Sequence, residues 1–191
     1  MANAQVGQLQ LLNSLTKKYL QQLRPASCIF LGIAGGNGLE HIDNTATRQV
    51  ITVDINPQYL AKTHERYVVA IPALQTVELD IVQHAGCVTK SKMIWAALIF
   101  EYTGVDAGLA FCANNIARKG NLAVTIQLNN GVTSVSNTGV ESVKQAGSVF
   151  KAVDPAALIE KATDAGFVLV EEEENFLPNG KSFKTYLFKY Q

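Results

Sequence analysis

The clearest chemistry in the chain lies in Cys28-Ile29-Phe30-Leu31-Gly32-Ile33-Ala34-Gly35-Gly36-Asn37-Gly38, where four glycines fall within seven positions directly after a short apolar run. Glycine reaches backbone angles closed to other residues and lets a second molecule approach the main chain. A glycine turn that leaves a buried parallel strand for a helix is a common binding place for a nucleotide-like cofactor. Two later apolar runs lead into carboxylates, Val50 to Asp54 and Thr76 to Asp80, and a third, Met93 to Phe100, leads into Glu101-Tyr102. His41 follows the glycine turn and reads as a helix-surface residue, while His64 and His84 stand in polar surroundings. Cys28, Cys87 and Cys112 have no metal-ligand spacing, and Cys28 and Cys112 sit in apolar runs as small core residues.

These groups need elements to position them. Val6, Leu9, Leu12, Leu15, Tyr19, Leu20 and Leu23 recur at three- and four-residue steps, which predicts an amphipathic helix over 6–24 that stops at Pro25. The first strand then runs into the glycine turn, and a short helix follows over Leu39 to Asn44. Val50 to Asp54 is a second strand. Asn56-Pro57 opens a helix to about Arg66, with Asn as cap and Pro at the first helical position. Thr76 to Leu79 and Met93 to Phe100 are further strands, Asp106 to Arg118 is helical and stops at Lys119-Gly120, and Leu122 to Leu128 is a fifth strand. Asn129 to Phe150, rich in Asn, Ser, Thr, Gly and Val, has no period and reads as a long functional loop. Asp154-Pro155 starts another helix, ending near Gly166. Phe167–Phe176 and Lys181–Tyr190 flank Leu177-Pro178-Asn179-Gly180 as an antiparallel hairpin, with Glu171 to Glu174 as an edge feature.

Alternating strands and helices imply an α/β fold with a mostly parallel sheet covered on both faces. At 191 residues the chain is expected to be one domain, with residues 1–26 as an N-terminal helical segment and 129–150 as an insertion. It is 48% hydrophobic with a formal net charge of zero, which excludes a disordered chain and bulk electrostatic binding to nucleic acid. No apolar run is long enough to span a bilayer and the start does not resemble a signal peptide, so a cytoplasmic location is expected.

From about residue 28 to 190 the chain resembles the class I S-adenosylmethionine-dependent methyltransferases, in particular small bacterial members. Ala34, Gly36 and Gly38 stand at the alternate positions of that family's glycine motif. A nicotinamide or flavin site wants a third small residue further on, where this chain has Leu39 or His41. The closing hairpin is the second discriminating feature. The resemblance implies a Rossmann-like three-layer αβα sandwich with a seven-stranded sheet of order 3-2-1-4-5-7-6, strand seven antiparallel. It implies S-adenosylmethionine as cofactor and S-adenosylhomocysteine as product, held by Gly32, Ala34, Gly35, Gly36, Gly38, Asp54, Ile55, Asp80, Ile81 and Ala97. Within that set Asp54 accepts from the ribose hydroxyls, Ile55 packs on the adenine, Asp80 accepts from its amine and Ile81 shields the ring. No metal is implied.

Two positions depart from the motif. Gly32 stands where the family has an acid that meets the methionine amino group, and Ala34 stands for the first glycine. On the acceptor side the family resemblance leads to Glu101 and Tyr102, as groups that bind the acceptor or remove a proton. An Asn-Pro-Pro-aromatic tetrapeptide is lacking there, so methylation of adenine in DNA is not expected. The implied activity is methyl transfer to a small-molecule acceptor, with the N-terminal helix and the 129–150 loop as pocket walls. Two alternatives remain: an NAD(P)-dependent oxidoreductase on a Rossmann-type fold, and a cofactor- or partner-binding protein without catalysis.

Overall fold

The computed structural model describes residues 7–86, 88–131 and 150–191. Helix α1 (Gln8–Leu23) leads to strand β1 (Ser27–Leu31), and the glycine turn ends in a short 3-10 turn (Leu39–His41). Then follow β2 (Gln49–Asp54), α2 (Pro57–Tyr67), β3 (Leu74–Glu78), β4 (Ser91–Ala97), α3 (Phe100–Thr103), α4 (Val105–Asn115) and β5 (Ile116–Leu128). The chain closes with α5 (Pro155–Asp164), β6 (Phe167–Phe176) and β7 (Ser182–Tyr190). The seven strands form one sheet in the order β3-β2-β1-β4-β5-β7-β6, as the family resemblance implies. Only β7 runs against the others, pairing antiparallel with both β5 and β6.

Successive side chains of a strand point to opposite faces, and the two cores sort accordingly. Cys28, Phe30, Met93 and Trp95 pack with Leu15 and Tyr19 of α1 and Leu60 and Tyr67 of α2. Ile29, Leu31, Ile94 and Ala96 pack with Leu109, Phe111 and Cys112 of α4 and Leu158 and Ala162 of α5. Cys28 and Cys112 are buried free thiols, in keeping with their apolar runs. Helices therefore cover both faces, and the strands read as continuous apolar runs because neither face meets water.

The two cap-plus-proline starts form as the sequence predicts. Asn56 accepts from the Gln58 N–H and Asp154 from the Ala156 N–H, each at 2.9 Å.

Several boundaries differ. The fourth strand stops at Ala97, not Phe100, because Leu98 takes a left-handed conformation (φ +53°) and turns the chain. Phe100, Glu101 and Tyr102 then lie on α3, with the Phe100 ring seated against Gly108 of α4, where a Cβ would stand 2.4 Å from it. Periodicity cannot separate a short buried helix from a buried strand, since both are apolar throughout. Helix α4 ends at Asn115, and Lys119-Gly120 marks no helix stop but an irregularity within β5. The register against β4 shifts there, from Ser91 opposite Ile116 to Met93 opposite Asn121. The expected helix over Leu39 to Asn44 contracts to a single 3-10 turn, and β3 ends before Asp80. Most of the 129–150 loop, residues 132–149, lies outside the described residues.

Candidate active site

The carboxyl ends of β1, β2 and β3 and the start of α3 line an open-mouthed cavity of about 280 Å³. Gly32, Asp54, Ile55, Asp80, Ile81 and Tyr102 line it, so six of the sequence-derived residues converge there. Ala34, Gly35, Gly36, Gly38, Ala97 and Glu101 are not part of its lining.

Main-chain bonds between strand ends shape this wall. The Gly32 N–H donates to Val53 O at 2.9 Å, and the Leu79 N–H donates to Asp54 O at 3.1 Å. Gly32 has φ +66°, and a Cβ on it would meet Ile99 Cδ1 at 2.9 Å. Gly36 and Gly38 serve a different purpose, for Cβ atoms there would stand 2.5 Å from the Tyr67 ring and 2.7 Å from the Thr16 side chain. These two glycines let α2 and α1 close on the turn from behind. Of the turn's glycines, Gly32, Gly35, Gly36 and Gly38, Gly35 alone faces open space.

Asp54 is buried at 9% exposure. Its Oδ2 accepts from the Ala34 N–H at 3.3 Å and its Oδ1 from the Asn56 N–H at 2.9 Å. A carboxylate offers about four acceptor positions, so roughly two remain for a ligand. Asp80 Oδ1 accepts from the Val82 N–H at 2.9 Å. Ile55 and Val82 are 65% and 54% exposed, unusual for large apolar side chains, and both line the cavity. Two exposed apolar side chains beside two carboxylates suit a flat, polar-edged ring system.

The two acceptor-side candidates part company on α3. Tyr102 lines the cavity, and burial together with the Glu101 charge raises its phenol above the usual range, so it stays protonated near neutral pH. Glu101 is fully buried and turns towards β5. Its Oε1 accepts from the Gln127 N–H at 2.7 Å, its main-chain oxygen accepts from the Lys151 N–H at 2.9 Å, and Oε2 has no hydrogen-bond partner among the described residues. Burial pushes this carboxyl up to about 7, against the lowering effect of the Gln127 N–H. His41 points elsewhere, its Nε2 lying 2.8 Å from Asn13 Oδ1.

Sequence reasoning missed Leu31, Val53, Leu79, Val82, Ile99 and Thr103 as lining residues. The pairing of Ile81 with a second apolar residue, Val82, in a loop was a usable signal for one of them. Ile99 and Thr103 depended on α3, which the strand reading concealed.

No protein-family profile matches the sequence, and no curated protein sequence matches it. Solved structures do. The N-methyltransferase NodS from Bradyrhizobium japonicum WM9, in complex with S-adenosyl-L-homocysteine, superposes with a TM-score of 0.71 at 13% identity, over 95% of this chain and 86% of that one. Magnesium protoporphyrin IX methyltransferase (ChlM) from Synechocystis PCC 6803, with bound S-adenosylmethionine, gives 0.68 at 11% identity, over 97% and 80%. The [4+2]-cyclase SpnF gives 0.74 at 10% identity, over 95% and 82%. At such identities the likeness is one of fold.

Proposed function

We propose that this chain, which has the fold of the class I S-adenosylmethionine-dependent methyltransferases, binds S-adenosylmethionine in the cavity and transfers its methyl group to a small-molecule acceptor. The observation that carries the reading is the convergence of Asp54, Asp80, Ile55 and Val82 on one cavity beside the glycine turn. Asp54 would hold the ribose hydroxyls with its remaining acceptor positions, as hydrogen bonds to an ionised acceptor are the stronger kind. Asp80 would accept from the adenine amine, and Ile55, Ile81 and Val82 would pack on the ring. The bound cofactor supplies a methyl group already activated on a sulfonium, so the protein's task is alignment and exclusion of water.

Within that task Tyr102 forms the acceptor-side wall and can donate a hydrogen bond. Glu101 is a positioning residue: through its side chain and main chain it ties α3 to Gln127 and Lys151. The neutral overall charge and the small cavity support a small acceptor over a polynucleotide. No described helix is long and apolar enough to cross a membrane. The two described cysteines are free thiols, and the reading includes action in a reducing cytoplasm.

Thermal unfolding with S-adenosylmethionine, S-adenosylhomocysteine and NAD tests the cofactor. A ligand at one hundred times its Kd stabilises by about 2.7 kcal/mol, which at roughly 2–4 °C per kcal/mol raises Tm by about 5–11 °C. The two adenosyl ligands are expected to do this and NAD is not. A shift with NAD alone would replace the reading by an oxidoreductase. Transfer is then read as uptake of labelled methyl by a panel of small acceptors. Cofactor binding with no uptake by any acceptor would leave a binding protein, not a transferase.

A further inference from the structure

We propose that Asn13 of α1 is a positioning residue for the cofactor: it clamps the far end of the glycine turn, and the turn carries that hold to Asp54. The proposal rests on the cofactor reading above and adds to it a residue outside the cavity lining.

Asn13 lies within α1 and is half-buried. Its Nδ2 donates to Asn37 Oδ1 at 3.1 Å and to Glu40 Oε1 at 2.6 Å. An ionised carboxylate only accepts, so the amide nitrogen faces Glu40 and the amide oxygen faces His41. His41 Nε2 is therefore the donor to Asn13 Oδ1, at 2.8 Å. One amide thus holds three side chains, from the glycine turn and from the 3-10 turn that follows it. Asn37 returns a bond to α1, its Nδ2 donating to Leu9 O at 3.0 Å. Glu40 Oε2 extends the clamp to α2, accepting from the Gly38 N–H and from the Tyr67 hydroxyl, both at 3.0 Å.

The turn so held is strained. Ala34 has φ +43°, a left-handed conformation that an L-residue keeps only where its surroundings impose it. Its own side chain is exposed, so the constraint comes along the main chain from either side. Before it, Ile33 is buried in the core beneath α1. After it, the Gly36 N–H donates back to Ile33 O at 2.9 Å, and Asn37 is fixed by Asn13 and Leu9. The Ala34 N–H then donates to Asp54 Oδ2 at 3.3 Å. That bond is at the long end of the usual range, so a small shift of the turn breaks it. The other oxygen of Asp54 accepts from the Asn56 N–H, which belongs to its own loop and does not depend on the turn. A carboxylate oriented before the ligand arrives spares the cost of ordering it on binding. Asn13 therefore acts on affinity through Ala34 and Asp54.

Isothermal titration calorimetry with S-adenosylhomocysteine tests this on the full chain, as a cycle of Asn13→Ala, Asp54→Ala and the double variant. Asn13→Ala is expected to raise Kd by about three- to tenfold, the cost of ordering one side chain. In the Asp54→Ala background the same change is expected to leave Kd unaltered. An unchanged Kd for Asn13→Ala overturns the proposal and leaves the cofactor reading standing. So does an equal loss in both backgrounds, since the effect would then bypass Asp54. Failure of the native chain to bind overturns the cofactor reading, and the proposal with it. A second measurement needs neither a ligand nor an Asp54 variant. In amide NMR spectra, Asn13→Ala should shift the Ala34 N–H resonance along with those of Asn37 and Gly38. An Ala34 resonance that stays in place while the other two move would confine Asn13 to the structure of α1 and overturn the proposal.

Discussion

The main-chain N–H of Ala34 donates to Asp54 Oδ2 across 3.3 Å, which joins the glycine turn after β1 to the acid that ends β2. Twenty residues separate the two in the chain. One carboxylate thus holds the turn in shape and faces the cavity, and its loss affects both. Asp54→Ala is expected to weaken S-adenosylhomocysteine binding by about 1.5–3 kcal/mol, the range for hydrogen bonds to a charged group. Calorimetric titration of the variant checks it, and an unchanged Kd would defeat the proposed role of Asp54 at the ribose.

The glycines of the turn should respond unequally to alanine. All have positive φ, which costs an L-residue roughly 1–2 kcal/mol. Gly35→Ala meets open space and should cost about that and no more. Gly36→Ala also drives a methyl to 2.5 Å from the Tyr67 ring, which the buried α2 face cannot yield without moving. Urea unfolding should therefore rank Gly36→Ala as the more destabilised variant by about 1–3 kcal/mol, the usual cost of overpacking. Equal midpoints would mean that α2 does not press on the turn.

Glu101 makes stability depend on pH. Its folded pKa of about 7 lies above the ordinary 4.5, so the folded state binds the proton more tightly. The corresponding stability is fully present below about pH 4.5 and is lost as pH rises through about 7. The size is about 3 kcal/mol by the usual conversion of pKa difference to free energy. Glu101→Gln removes the titration. Denaturant unfolding at pH 5 and pH 8 should show the native chain losing on the order of 2–3 kcal/mol more than the variant over that interval. Parallel losses would mean that Glu101 does not titrate there.

Helix α1 is tied to the distant edge strand β6 by carboxylates. Tyr19, fully buried, donates its hydroxyl to Glu173 Oε1 at 2.7 Å. Lys18 bridges Glu171 and Glu173 at 3.0 and 2.7 Å, but its side chain is 41% exposed. Exposed ion pairs contribute about 0–1 kcal/mol, whereas a buried hydroxyl on a carboxylate is worth roughly 1.5–3. Tyr19→Phe should therefore lower stability more than Lys18→Met, as read by urea midpoints. The reverse order would place the anchor on the ion pair.

Much of this architecture was legible in the sequence because its determinants are local. Asn56-Pro57 and Asp154-Pro155 start helices through bonds to residues two positions on. The glycines must follow β1 wherever the rest of the chain goes. Alternation of strands and helices was enough for a mostly parallel sheet covered on both faces, and the order of its strands came from the family resemblance. Asp54 and Asp80 were legible as a pair because each stands at the end of an apolar run, and parallel strands bring such ends together.

What tertiary structure alone decided rests on partners far apart in the chain. Leu98 turns left-handed with its N–H on Thr125 O, so Glu101 leaves the strand and turns towards Gln127. The β6 carboxylates divide between α1 on one face, through Glu171 and Glu173, and Lys184 and Ser182 on the other, through Glu172 and Glu174. Composition announces four acids in a row; only the packing of a helix some 150 residues away determines which of them hold it. The packing around the glycine turn is of the same kind. Its glycines are visible in the sequence, but Thr16, Tyr67, Asn13 and Glu40 close around them from three separate elements. Local preference sets where a chain turns, while long-range contact sets which donors and acceptors the turn has left to offer.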